Sequence, residues 1–350
     1  MTITINYRTE TKTTAFLDPR SGFELSEVES QIRYHPLTGD SSRICHFSVD
    51  RLPPSDQSEM IEASKHQCPF CPGMIEKVTP KYPESFLPEG QLREGVVTLF
   101  PNLFPYDDVS ALAILSDQHF ISMDAMPVES VVGGIRVAQR FFSQIEKHFY
   151  DRSEPFYSLV TWNYMAPAGS SLVHPHMQVL HTSNPGNRLR RELAAEQQYQ
   201  QQHGRAYLAD LMKQERDDGS RWIGEKGGVQ WMVPFSPTGM LGDCIAVFPE
   251  KATLADLSVE DMTAFAEGLQ NILASFSTFG LWSFNLAFYP AAVGSAADSH
   301  WLYAKIVPRF YVNPAISASD VSYLQCLIEE KASMVFPETT AERLRKGWTS

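Results

Sequence analysis

Two histidines and a glutamine at alternate positions are the residues of this chain best suited to catalysis. His174, His176 and Gln178 stand at positions i, i+2 and i+4 of one short segment. If this segment is a strand, the three side chains point to one face, while Val173 and Val179 face the core. A neutral imidazole is a good nucleophile toward phosphorus, so the pattern is suited to covalent catalysis there. The alternative is an amphipathic surface strand whose polar face happens to hold histidines.

A second candidate group is the pair Cys68 and Cys71, which are separated by two residues. Two thiolates at this spacing are typical of a zinc knuckle. The remaining cysteines are isolated, so a closed tetrahedral site needs histidines from distant sequence, and His119 and His174 are the candidates. A redox pair and two ordinary buried thiols are the alternatives to zinc.

The surrounding sequence predicts the elements that must position these residues, and the same order of elements occurs twice. Residues 1–66 predict short strands and loops. The polar, helix-forming segment 187–216 separates the two regions, so we place a domain boundary near residue 185, between domains 1–185 and 186–350. Strands are predicted at 96–100, 111–115, 156–162, 173–180, 229–235 and 244–248, and helices at 128–150 and 258–279, the latter opened by Ser258 and Asp261 as a capping box.

The composition predicts a soluble globular protein. The 350 residues suffice for about two domains. The net charge of −12, from 29 basic and 41 acidic residues, disfavours a surface for long nucleic acids. Apolar runs are too short for a membrane helix, the N-terminus lacks the apolar stretch of a signal peptide, and the 5 cysteines fit reduced thiols. We therefore expect a cytoplasmic protein without a membrane partner and without long nucleic acids as partners.

Several landmarks together give the chain a resemblance to a known family. His174-Pro175-His176-Met177-Gln178 is similar to a His-Pro-His-Gly-Gln signature, with Asn163 and Ser171 upstream at matching spacing. On these residues the chain resembles, over nearly its whole length, the galactose-1-phosphate uridylyltransferase family of the histidine-triad superfamily. Further matching landmarks are Arg33–Gly39 (the family's Arg-Tyr-Asn-Pro-Leu-Thr-Gly), Cys68–Gly73 (its zinc knuckle), Phe100–Pro105 (its nucleoside-contacting Asn turn) and His119 (its third zinc ligand).

The resemblance implies a two-step nucleotidyl transfer. A nucleoside monophosphate would move from a nucleotide sugar to a sugar 1-phosphate through a covalent intermediate on His176, with Gln178 as the second catalytic residue. The implied pathway is galactose metabolism. Arg51 is the candidate cation for the phosphoryl oxygens, and a solvated surface arginine is its alternative reading. The full set of implied substrate-binding residues is Asn102, Asn163, Ser171, Arg51, Arg309 and Phe310.

The resemblance also implies a metal, a fold and an assembly. One structural zinc ion on Cys68, Cys71, His119 and His174 would fix the strand that carries His176. The implied fold is α+β, with two tandem histidine-triad-like domains, each an antiparallel sheet with packed helices. The family's dimer completes each site with residues of the partner chain, so we expect a homodimer.

The chain departs from the family at two places. Glu192 stands where the family has a ligand of a second metal, but Tyr303 and Lys305 replace two histidines, so we predict no second metal. Lys305 then puts a cation in place of that metal, pairs with Glu192, or is a surface residue. Pro314 and Ala315 replace residues that contact sugar hydroxyls. The acceptor could therefore also be another sugar phosphate, inorganic phosphate or water. One alternative function is a phosphorylase or hydrolase that acts on nucleotide sugars or dinucleotides. The other is a non-catalytic nucleotide-binding protein.

Overall fold

The computed structural model describes residues 4–45, 49, 51–53, 55–105, 107–148 and 154–349. Within these residues there are sixteen strands and eight α-helices. The strands are β1 Thr9–Asp18, β2 Glu24–Tyr34, β3 Ser41–Ile44, β4 Leu92–Glu94, β5 Val97–Pro101, β6 Val109–Ile114, β7 Tyr157–Tyr164, β8 His176–Thr182, β9 Trp222–Lys226, β10 Val229–Met232, β11 Cys244–Val247, β12 Ser283–Tyr289, β13 Tyr303–Arg309, β14 Tyr311–Asn313, β15 Ala318–Ser319 and β16 Lys331–Ser333. The helices are α1 Ser58–Lys65, α2 Ile75–Val78, α3 Val128–His148, α4 Gly186–His203, α5 Tyr207–Asp218, α6 Val259–Thr278, α7 Tyr323–Leu327 and α8 Pro337–Lys346.

One antiparallel sheet of ten strands runs through the molecule in the order β4-β5-β6-β8-β7-β12-β13-β11-β10-β9. Its first five strands follow the order β4-β5-β6-β8-β7, and its last five, read from the other edge, follow β9-β10-β11-β13-β12. The two halves therefore have the same topology, and β7 pairs with β12 where they meet. Under this correspondence β8 and β13 are equivalent strands.

Two long helices cover one face of this sheet. Each half contributes one of them: α3 connects β6 to β7 in the first half, and α6 connects β11 to β12 in the second. The apolar stripe of α3, which includes Val131, Ile135 and Phe142, is buried, and α3 packs beside α6. A Cβ atom at Gly134 would lie 2.7 Å from Leu115 Cδ2, so glycine allows α3 to approach the sheet closely.

The opposite face of the sheet is covered differently in the two halves. In the first half, the segment after α1 packs on it through Cys68, Phe70 and Ile75. In the second half, α5 and the N-terminal segment pack on it, with Leu208 and Ile5 among the buried residues. A separate four-stranded sheet, β1-β2-β3-β16, completes the structure, with β16 parallel to β3. The central strands of this face remain half-exposed between the two covers.

The structure confirms the α+β class with antiparallel sheets and most of the predicted elements. The capping box of Ser258 and Asp261 opens α6 as predicted. The predicted helix 128–150 is observed as α3, and residues 149 and 150 lie outside the described residues. The prediction for residues 1–66 was incomplete, since β1 and β2 form a long hairpin and α1 was missed. The boundary near 185 falls just before α4 and stays a prediction, because the large sheet continues across the two halves.

Among the described residues, none of the helices is both long enough and apolar enough to cross a bilayer.

Candidate active site and metal centre

The register of four neighbouring strands aligns polar side chains in rows across the half-exposed face. Gln178 on β8 lies opposite Thr161 on β7, Thr161 lies opposite Ala287 on β12, and Ala287 lies opposite Lys305 on β13. Strands are about 4.8 Å apart, so this row extends about 14 Å. His176 is two residues before Gln178, so its side chain lies on the same face. The predicted alternation along β8 is therefore present, and the face joins both halves.

His176 has the tautomer that nucleophilic attack requires. The ring is buried, with 7% of its surface exposed, and its Nδ1–H donates a hydrogen bond of 2.8 Å to the carbonyl oxygen of His174. Because Nδ1 carries the proton, the lone pair is on Nε2. Burial lowers the pKa of His176. The imidazole is thus held neutral with a free nucleophilic nitrogen, and the ring of Phe70 meets it edge-on at a centroid distance of 5.4 Å.

The four predicted metal ligands meet at one point beside His176. Their ligand atoms all lie within 4.8 Å of one another. Nδ1 of His174 lies 3.6 Å from Cys68 Sγ and 3.7 Å from Cys71 Sγ, and Nδ1 of His119 lies 3.5 Å from Cys71 Sγ. Tetrahedral zinc with ordinary bond lengths would need sulfur–nitrogen distances of about 3.5 Å. The donor set and its spacing therefore fit a tetrahedral metal ion.

The surroundings of the two imidazoles fit the same role. His174 Nε2 donates a hydrogen bond of 2.7 Å to the carbonyl oxygen of Ser116, and His119 Nε2 lies 2.9 Å from Ser64 Oγ. These partners leave both Nδ1 atoms directed at the cysteines, as is usual for metal-bound histidines. Burial lowers the pKa of His174 to about 4 and also lowers that of His119. Both rings are thus neutral, as ligands must be.

The predicted substrate-binding residues of the first half lie on or beside the same face. Asn163 lies on β7, and its Oδ1 accepts a hydrogen bond from Asn285. Asn102 follows β5, where its backbone N–H donates to the carbonyl oxygen of Ser110. His176 is level with Thr98 on β5, two strands away, and Asn102 lies four residues beyond Thr98. The distance between Asn102 and His176 is therefore about 16 Å. Ser171 is exposed in the loop that leads into β8.

Three other predicted residues have different surroundings. Arg309 ends β13 and is paired with Asp320 at 2.6 Å. Phe310 is buried in the main core, with 3% of its surface exposed. Arg51 is exposed beside a cavity of about 30 Å³ that Phe276 and Phe279 help to line. Of these three residues, only Arg309 therefore lies on the half-exposed face of the large sheet, which we call the polar face.

Glu192, Tyr303 and Lys305, which align with the family's second metal site, take part in ion pairs and a hydrogen bond. Glu192 on α4 accepts hydrogen bonds from Arg188 Nε at 2.8 Å and from the Tyr303 hydroxyl. Lys305 is buried, with 4% of its surface exposed, and its Nζ lies 2.5 Å from Asp243 Oδ2. The expectation that Lys305 pairs with Glu192 or is a surface residue was therefore wrong. Its partner is Asp243, because Asp243 directly precedes β11, the strand that pairs with β13.

Further buried charge surrounds this group. His300 Nδ1 pairs with Glu196, one turn beyond Glu192 on α4. Burial lowers the pKa of Lys305 to about 8, although Asp243 acts in the opposite direction. A cavity of about 50 Å³ separates Lys305 and Glu192 from apolar side chains of α5, Leu208 among them.

Asn285, Asp243 and Asp320 belong to these networks and were missed in the sequence. Asn285 had a recognisable signal, because it is an amide in the otherwise mainly apolar strand Ser283–Tyr289. Asp243 and Asp320 lie in loops, where acidic residues are common, so their roles had no local signal.

Comparison with known proteins was made by sequence and by structure. No protein-family model matches the chain. A protein of Archaeoglobus fulgidus is 27% identical over 338 residues, which covers 94% of this chain and 95% of that protein. That relative is described only as uncharacterised.

Solved structures have the same architecture. A GalT-like protein and an ADP-glucose phosphorylase, both from Arabidopsis thaliana, each match with a TM-score of 0.69 at 17% identity, covering 91% of this chain and 99% of theirs. A uridylyltransferase matches with a TM-score of 0.65 at 18% identity, covering 90% and 97%. The chain is therefore an α+β protein with the architecture of these solved structures. More narrowly, it has the fold of the GalT-like proteins, so the resemblance seen in the sequence is confirmed at the level of the fold.

Proposed function

We propose that this protein is a nucleotidyltransferase that moves a nucleoside monophosphate between a nucleotide sugar and a sugar 1-phosphate, with His176 as the covalent nucleophile. The observation that carries the proposal is the state of His176: a buried, neutral ring with its lone pair on Nε2, at one end of a face that also holds Gln178 and Asn163. The likeness of the fold to a uridylyltransferase and an ADP-glucose phosphorylase supports it.

In the first step, His176 Nε2 attacks the α-phosphorus of the nucleotide sugar. The Nε2–phosphorus bond forms, the bond from phosphorus to the bridging oxygen breaks, and the sugar 1-phosphate leaves with that electron pair. Positive charge develops on the ring, and the Nδ1–H bond to the His174 carbonyl oxygen stabilises it. Gln178 and Asn163 have neutral amide donors for the phosphoryl oxygens.

In the second step, a phosphate oxygen of the acceptor attacks the same phosphorus. The Nε2–phosphorus bond breaks, and His176 returns to its neutral form. Each step then uses a good nucleophile or a good leaving group, which one direct displacement between two phosphates would not.

Zinc is the metal that we propose for Cys68, Cys71, His119 and His174. With four protein ligands such an ion has no open position, so its contribution is structural. The His174 imidazole belongs to this cluster, while its carbonyl oxygen holds the ring of His176. The cluster thus holds the nucleophile in place.

The second acceptor that we propose is inorganic phosphate, which would make the protein a nucleotide-sugar phosphorylase. The specific observation in its favour is the exposed turn at Pro314 and Ala315, whose side chains have no groups for sugar hydroxyls. The covalent step on His176 is the same in both cases, so the two activities differ only in what discharges the adduct.

The test is intact-protein mass spectrometry under non-acidic conditions after incubation with UDP-, ADP- and GDP-sugars. We expect a mass gain of one nucleoside monophosphate, which also identifies the base. The adduct should be absent in His176→Ala and retained in His181→Ala, a matched histidine of β8 whose ring stacks on Phe156 at a centroid distance of 4.9 Å. Addition of sugar 1-phosphate, phosphate or water alone then identifies the acceptor.

The opposite result would be binding without chemistry. If folded, metal-loaded protein binds nucleotide but forms no adduct, and releases no free nucleotide that would indicate rapid hydrolysis, the transferase proposal is wrong. The alternative of a non-catalytic nucleotide-binding protein would then hold.

We also propose a homodimer and a cytoplasmic location. The half-exposed polar face fits a site that a partner chain completes, and sedimentation velocity measures the mass in solution. The cysteines are free thiols, which fits a reducing compartment. Fractionation of the source cells tests the location.

A further inference from the structure

We infer that Asn285 is a positioning residue that fixes the side-chain amide of Asn163 with its Nδ2 protons toward the phosphoryl group at His176. The inference rests on the proposed function and deepens it. It assigns the second half of the molecule a role in a reaction whose nucleophile lies in the first.

The argument starts from a buried ion pair. Asp320 has 4% of its side chain exposed and accepts hydrogen bonds from two nitrogens of Arg309, with shortest distances of 2.8 Å from Nε and 2.6 Å from Nη2. The third nitrogen of Arg309, Nη1, donates to Asn285 Oδ1 at 2.6 Å. A guanidinium group has donors only, so the Asn285 amide must turn its oxygen toward Arg309.

The orientation of Asn285 then determines that of Asn163. Asn285 Nδ2 donates to Asn163 Oδ1 at 2.7 Å and to the Ala168 carbonyl oxygen at 2.9 Å. If the Asn163 amide were reversed, two NH₂ groups would face each other, which is unfavourable. Asn163 Nδ2 is therefore directed away from Asn285, and it forms no hydrogen bond with any residue that the structure describes.

The strand register shows what lies on that other side. Thr161 lies opposite Gln178, and β7 and β8 are antiparallel, so Asn163 is level with His176. The Asn163 amide thus stands between Asn285 and the nucleophile. Its protons are presented where negative charge develops on the phosphoryl oxygens, and no reorganisation is needed during the reaction.

The decisive variant is Asn285→Asp, which keeps the shape of the side chain. Its carboxylate still accepts from Arg309 but presents a second acceptor to Asn163 and to the Ala168 carbonyl oxygen. The Asn163 amide would then reverse and offer its oxygen to the phosphoryl group. We expect the maximal rate constant for adduct formation on His176 to fall about 100-fold, with a smaller change in the half-saturating nucleotide-sugar concentration.

Asn285→Ala separates positioning from a purely structural role. Truncation removes the constraint on Asn163 without reversing it, so we expect a fall of about tenfold only. A purely structural role instead predicts that the rate falls in step with folding stability in both variants, because the aspartate variant also loses the donor to the Ala168 carbonyl oxygen. Urea unfolding of both variants measures that stability. Asn271→Asp, on α6 across the sheet, adds the same charge and should leave the rate unchanged.

The outcomes are distinguishable. If the wild-type protein forms no adduct with any donor, the proposed function fails and this inference fails with it. If the wild type reacts but Asn285→Asp reacts as fast as Asn285→Ala or faster, the inference alone is overturned.

Discussion

The two halves of the large sheet share one topology but stabilise their equivalent strands by different means. In the first half, β8 is preceded by His174, which meets Cys68, Cys71 and His119 in a cluster suited to a metal ion. In the second half, the equivalent strand β13 carries Lys305, which is paired with Asp243. One fold thus tolerates a metal site or a buried ion pair beside the same strand.

The difference between the halves concerns chemistry as well as stability. The first half carries the neutral imidazole of His176, which we propose as the nucleophile, whereas Tyr303 and Lys305 of the second half are engaged by Glu192 and Asp243. An ammonium group that is buried and paired is a poor nucleophile at neutral pH, since its lone pair is protonated. Under the proposed function, the first half is therefore the reactive half and the second half is the supporting half.

The largest expected effect is loss of the metal site in Cys68→Ser. Structural zinc contributes roughly 10 kcal/mol or more to the folding of small zinc domains, and we expect several kcal/mol here. The variant should lose one equivalent of metal per chain, measured by atomic spectrometry, and its melting temperature should fall.

Cys45→Ser is the matched control for that variant, because Cys45 lies outside the cluster. It should keep both the metal and the wild-type stability. If Cys68→Ser retains a full equivalent of metal, the assignment of the first half is wrong.

A smaller loss is expected when the ion pair of the second half is broken. Lys305→Met leaves the carboxylate of Asp243, which is 0% exposed, buried without its cation. Breaking a buried pair from one side costs about 3–5 kcal/mol. Urea unfolding should show this loss.

The double variant Lys305→Met with Asp243→Asn tests the cause. In the wild type, the Thr238 N–H donates to Asp243 Oδ1 at 3.0 Å. The amide oxygen introduced by Asp243→Asn can still accept that hydrogen bond. More than half of the lost stability should return. If the double variant is as unstable as the single one, the pair does not account for the loss.

The smallest effect is a pH dependence. Burial lowers the pKa of Lys305 to about 8, below its ordinary value of about 10.4 in an unfolded chain. Between these values the unfolded chain binds more protons, so Lys305 makes stability rise with pH. From pH 7 to 9.5 we expect a rise on the order of 2 kcal/mol in the wild type relative to Lys305→Met. Equal pH slopes in the two proteins would contradict this assignment.

Much of the reactive half could be predicted from the sequence because its signals are local. A strand alternates its side chains, so His176 and Gln178 could be assigned to one face before any fold was known. The predicted strand was too long at its start, since β8 begins at His176 and His174 lies in the bend before it. The two-residue gap between Cys68 and Cys71 is also a local signal, and it predicted a pair of metal ligands. The spacing of apolar residues likewise predicted α3.

The helix α6 of the supporting half was predicted from the capping box of Ser258 and Asp261, but the polar contacts of that half could not be predicted from local signals. Asp243 and Lys305 are 62 residues apart, and Asn163 and Asn285 are 122 residues apart. Which of several carboxylates meets a lysine depends on which strands become neighbours, and no local pattern encodes that choice. Phe310 shows the same limit, since its neighbour Arg309 reaches the polar face while the phenyl ring enters the core.

The sequence by itself predicted the histidine that we propose as nucleophile, the four residues of the candidate metal cluster and the class of fold, because residue type and short-range spacing fix what chemistry a strand or loop can present. Only the tertiary structure decided that β7 pairs with β12 and that a loop aspartate neutralises Lys305. Those choices depend on packing and on the burial of charge, which are properties of the assembled chain and of no single segment.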